Sequence, residues 1–136
     1  MKIILTNGTE LNPIMAAGGS RYFGGAHRDS LSFIFAADAS LDELDAIFTD
    51  ANCETITIED TTVDAEGNET TVGYIHTGYT IRAELKREPM EVTPATESSA
   101  AVYENRVTVT MAQRTYEEKQ FQNMQAAMNA LLKGEE

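Results

Sequence analysis

Four stretches of the chain repeat apolar residues with a period of two. Leu31, Phe33 and Phe35 do so first, then Ile56 and Ile58, then Tyr79, Ile81, Ala83 and Leu85, and last Val107, Val109 and Met111. Successive side chains of a strand point to opposite faces, so each run has one face to bury and one to wet. Many short runs of this kind, separated by turn residues, predict an antiparallel β barrel or sandwich of about six to eight strands. With two helices added, the class is mainly β with α (α+β). Phe33, Ile56, Ile81 and Val109 are expected on the inward faces.

The remaining segments fit around those runs. Ile3-Ile4-Leu5 is apolar and β-branched, and Asn7-Gly8 is a hairpin signal. Its return strand lies near 10–15, where Pro13 puts it at an edge or breaks it. The glycine pairs at 18–19 and 24–25 predict a loop over 18–25. Strands are expected at 54–59 and 70–76, joined by a turn at Asp64–Glu69, with Gly78 as the break before the Tyr79 run. Pro89, Pro94 and the polar run 96–101 predict a mobile loop over 88–101.

Two segments change period from two to 3.6. Ser40 and Glu43 have capping-box spacing, in which each side chain can reach the other's backbone N–H. Leu41, Leu44, Ile47 and Phe48 then share one face, and Asn52 suits a left-handed stop, so a helix is expected over 40–51. Thr115 and Glu118 repeat the capping spacing before Phe121, Met124, Met128 and Leu131, which are three, four and three residues apart. That is the a/d seam of a coiled coil, carried for about two heptads. The organisation read from sequence is a β-rich domain over 1–113, with helix 40–51 inserted, and a C-terminal helix over 114–134. An isolated helix this short is marginal in water, so it must lean on its own sheet or on another chain. Phe121, Met124, Met128 and Leu131 are the candidate interface.

Charge narrows the partners. The chain has 10 basic and 22 acidic residues, a net charge of −12. No Lys or Arg lies between Arg28 and Arg82, while residues 29–81 hold 12 carboxylates, which account for the entire excess. Nucleic acid and anionic membrane surfaces are therefore not expected as partners, since both recognise clustered Lys and Arg. The acidic tract reads either as a solvated face or as a docking face for a basic partner. No run approaches the roughly 20 apolar residues of a membrane span. Met1–Leu5 is far too short for a secretory apolar region, and a single cysteine, Cys53, permits no internal disulfide. Synthesis and residence in a reducing compartment are expected.

No catalytic constellation emerges. The glycine pairs are not followed by Gly-Lys-Ser/Thr or by a helix N-terminus, as a phosphate loop requires. Asp64–Glu69 lacks the ligand spacing of a calcium loop. His27 and His76 have neither an HxxxH partner nor a cysteine nearby for zinc, and no G-x-S-x-G elbow is present. Cys53 has no basic neighbour in sequence to activate it. The expectation is a protein without catalytic residues, metal or cofactor.

Taken together, Arg28-Asp29-Ser30-Leu31-Ser32-Phe33-Ile34-Phe35, the strand Glu54–Asp60 and Tyr74-Ile75-His76-Thr77-Gly78-Tyr79-Thr80-Ile81 resemble small structural proteins of tailed-phage tails and baseplates. In those proteins a D-x-L-x-F-x-F strand precedes a strand-and-turn and then an aromatic-Gly-Tyr strand. The resemblance covers residues 28–86. It implies a β-barrel or sandwich module that assembles with other tail proteins in a phage or prophage. The helix stripe adds the expectation that other tail or baseplate proteins, or a second copy, are met through the C-terminal helix. The resemblance further implies synthesis in the bacterial cytoplasm and a place in the virion tail. The alternative reading is a bacterial ligand-binding or protein-interaction module.

Overall fold

The computed structural model describes residues 1–134. Eight strands form two antiparallel four-stranded sheets, and two helices accompany them. The strands are β1 (Lys2–Ile4), β2 (Glu10–Leu11), β3 (Met15–Phe23), β4 (Ala26–Phe35), β5 (Thr55–Val63), β6 (Glu69–Thr77), β7 (Ile81–Thr93) and β8 (Val102–Ala112). Helix α1 (Leu41–Ile47) lies between β4 and β5, and α2 (Tyr116–Gly134) follows β8. One sheet has the order β2-β1-β5-β6 and the other β3-β4-β8-β7, so the fold is a sandwich.

The core lies where the period-two runs meet. Phe33, Ile56, Val107, Val109 and Met111 are all 0% exposed, together with Ile3 and Cys53. Register explains why the runs add up: Leu31 faces Met111, Phe33 faces Val109 and Phe35 faces Val107 across β4 and β8. Their inward side chains therefore form one layer over Ile56 and Ile58 of the other sheet. Helix α1 completes this layer, with Leu44 and Phe48 buried and the Phe48 ring 5.9 Å from Phe33 and 6.1 Å from Phe35.

Ile81 departs from expectation. It pairs with Ala112 and is half-buried outside the core cluster, while Leu85 takes the place opposite Val109. The cause is a bulge between Arg82 and Glu84, which shifts the register of β7 by one residue and exchanges its faces. An unbroken alternation in sequence conceals such a shift.

Three segment boundaries are also corrected. Residues 18–23 are strand rather than loop: Gly18 and Gly19 pair with Leu31 and Ser30, and the turn is confined to Gly24-Gly25. Cross-strand hydrogen bonds from β4 override the weak strand preference of glycine. The expected loop over 88–101 is shorter, because β7 runs to Thr93 and pairs with β8 as far as Thr93–Val102. Pro89 is tolerated because β7 is an edge strand. Helix α1 ends at Ile47 rather than near residue 51: Phe48, at φ −85 and ψ 71, has left the helix. Asn52 does not adopt a left-handed conformation. It caps the helix instead by donating Nδ2–H to the Ile47 carbonyl at 2.9 Å.

Candidate interaction surface

Helix α2 begins as its sequence predicts. The Thr115 N–H donates to Glu118 Oε1 at 2.8 Å and the Glu118 N–H donates to Thr115 Oγ1 at 3.3 Å, so the capping box is complete. Glu118 has a second task. Its carboxylate forms a forked ion pair with Arg28, a residue only 5% exposed at the start of β4.

Arg28 spends its guanidinium fully. Nε donates to the Phe23 carbonyl at 2.7 Å, Nη2 to the Gly24 carbonyl at 3.3 Å and Nη1 to the Gln113 carbonyl at 3.2 Å. The two remaining N–H groups go to Glu118. Arginine's five donors in a fixed fork suit this task, which a lysine could not perform. One side chain thus joins the β3–β4 turn, the end of β8 and the first turn of α2. The guanidinium, with the Thr115 N–H, holds the Glu118 carboxyl well below the usual carboxylate range, at about 2. Sequence reading found Glu118 through its capping spacing. It did not find Arg28, whose partner lies 90 residues away.

Beyond that first turn α2 leaves the sandwich. Every residue from Lys119 to Lys133 is exposed. Phe121 is 60% exposed, Met124 62%, Met128 59% and Leu131 70%. The structure therefore places the four candidate residues together on one exposed helix, uncovered by the chain's own sheets. Leu132, at 66%, extends the stripe. An apolar stripe of this length, on a helix anchored at one end by a buried arginine, is what a docking element requires.

Other features offer less chemistry. A shallow depression of about 320 Å³ lies on the outer face of β3, β4 and β8, lined by Ala17, Gly19, Ser30, Ser32 and Thr110, with Arg21 at its rim. Two of its hydroxyls bond each other, Ser32 Oγ and Thr110 Oγ1 at 3.0 Å, and Arg21 pairs with Glu84. Cys53 is fully buried, and burial, aided by Asp50, pushes its thiol up to about 12. His27 packs edge-on against Tyr22, and His76 against Tyr79. Among the described residues, no three His, Cys, Asp or Glu side chains converge as a metal site, and no helix is long and apolar enough to cross a membrane. Acidic side chains of the 29–81 tract form two ion pairs with basic side chains from outside it, Asp45 with Arg82 and Asp50 with Arg114.

No protein-family model matches the chain, and no curated protein or solved structure matches it.

Proposed function

We propose that the protein is a non-enzymatic assembly component that docks on a neighbouring protein through α2. Its resemblance over 28–86 to small tail and baseplate proteins names the setting, a phage or prophage tail. The observation that carries the reading is the exposure of Phe121, Met124, Met128 and Leu131 on a helix fastened only through its first turn. Burying those side chains at about 25 cal/mol per Å² supplies a driving force that the free chain forgoes. Methionine suits the task, because its unbranched, polarisable side chain adapts to an irregular partner surface.

The test is co-expression with the products of the genes that flank this one. The wild-type chain is expected to purify in fixed stoichiometry with a flanking product. The Met124→Glu, Met128→Glu double variant is expected to purify alone with the β sandwich intact by circular dichroism. A double variant that still assembles removes α2 from the reading. Flanking genes for transport or sugar metabolism, with no stable complex, favour the ligand-binding alternative and refute the tail setting.

A further inference from the structure

A second surface, independent of α2, lies along β6, and the geometry points to a second copy of this chain as its occupant. Strand β6 ends its sheet, pairing with β5 on one side only. The hydrogen bonds that bracket the hairpin set the direction of each backbone group. Asp64 N–H donates to the Asn68 carbonyl at 3.0 Å, and Gly78 N–H donates to the Glu54 carbonyl at 2.9 Å. In an antiparallel ladder bonded pairs alternate with non-bonded ones. The even-numbered residues of β6 therefore bond to β5, and Glu69, Thr71, Gly73, Ile75 and Thr77 direct their N–H and C=O groups outward. Gln113 Nε2 donates to the Thr77 carbonyl at 3.0 Å, leaving the edge open from Glu69 to Ile75.

Proteins ordinarily blunt such an edge with lysine, proline, a bulge or a covering element. From Thr70 to Thr77 this one has no Asp, Glu, Lys or Arg, no proline and no register shift, and all of these residues but His76 are exposed. The other edges are treated differently. Strand β2 has two residues, and β3 carries Arg21 and a Gly18-Gly19 pair. Strand β7 is bulged, contains Pro89 and is bound by α1, where Arg82 donates to the Asp45 carbonyl at 3.2 Å.

The strand is its own complement. A two-fold axis through Gly73 pairs outward groups with outward groups, puts Thr71 opposite Ile75 and sets Val72 beside Tyr74 in a non-bonded pair, where side chains approach most closely. Glu69 then faces Thr77, and the two copies' Glu69 residues are about 27 Å apart, at ~3.4 Å per residue, well beyond the screening length of about 8 Å. The two Glu69 carboxylates therefore do not oppose self-pairing. A single added strand covers less than the roughly 800 Å² per partner of a standard interface, which places the contact among the weak, concentration-dependent ones.

Disulfide trapping tests this directly. A Cβ built on Gly73 meets only ordinary contacts, Thr57 Cγ2 at 3.8 Å and Glu59 Cγ at 3.9 Å, so Gly73→Cys fits the fold. Across the two-fold axis its Cα atoms lie about 5.5 Å apart, within the roughly 4.4–6.8 Å that a disulfide spans. Mild oxidation of the full chain is expected to give a reducible dimer with Gly73→Cys and at least tenfold less with Ser98→Cys on the β7–β8 loop. Without the cysteine, sedimentation velocity is expected to show the mass rising with concentration toward twice the monomer. Ile75→Pro, which removes an outward N–H and no bond to β5, is expected to abolish that rise. Should Ile75→Pro unfold, Ile75→Lys is expected to do the same. Equal cross-linking of both cysteine variants, or a monomer at all concentrations, overturns the proposal. So does dimerisation that persists in Ile75→Lys but is lost in the Met124→Glu, Met128→Glu variant, which assigns the contact to α2.

Discussion

One substitution made at two places tests the division between sandwich and docking helix. Phe33 is 0% exposed and Phe121 60% exposed. Burying a phenylalanine removes about 150–250 Å² from water, which at about 25 cal/mol per Å² is about 4–6 kcal/mol, an upper bound because unfolded chains already bury part of it. Phe33 also stacks on Phe48 at 5.9 Å, so its loss opens a cavity that α1 must partly fill. Core Phe→Ala substitutions cost about 3–5 kcal/mol, and Phe33→Ala is expected in that range. Over 136 residues, an unfolding entropy of about 2.1 cal/mol/K per residue turns this into a Tm lowered by about 10–17 °C. Phe121→Ala removes a ring that is already mostly in water and puts the best helix former in its place, so stability should move by less than about 0.5 kcal/mol. Differential scanning calorimetry on the two variants provides the measurement. Comparable losses from both would show that α2 belongs to the core, and an unmoved Tm for Phe33→Ala would show that the inward face is misassigned.

Further outcomes follow from the ion pair, the thiol and the turns. Glu118 has a folded pKa of about 2 against an ordinary 4.5, so its contribution is fully present above about pH 4.5 and is lost as pH falls toward 2. Amide exchange at the start of α2 should therefore accelerate over that window, and in Glu118→Gln it should already be fast at neutral pH. Cys53, with its thiol pushed up to about 12, should react with a disulfide reagent only on unfolding, and at the unfolding rate. Gly67 turns the β5–β6 hairpin at φ +86, where Gly67→Ala is strained whatever the space around it. A loss of about 1 kcal/mol in urea denaturation is the expected cost.

The readable part of this protein was its local chemistry. Period-two runs marked β4, β5 and β8, because the requirement that one face be dry acts on each residue separately and leaves a trace at every second position. Both capping spacings were legible for the same reason: within one turn Thr115–Glu118 closes the full box, while at Ser40–Glu43 only the Ser40 half forms, its Oγ accepting from the Glu43 N–H. The apolar stripe of α2 was equally plain, but sequence alone left open whether the chain's own sheet would cover it. Tertiary structure decided that, through a contact between Arg28 and Glu118 that holds only the first turn. It also decided that Gly18 and Gly19 join a strand, that a bulge exchanges the faces of β7, and that β6 ends its sheet uncovered. Each of these depends on which strand lies alongside, a pairing made across long stretches of chain, and no residue records its neighbour in its own identity.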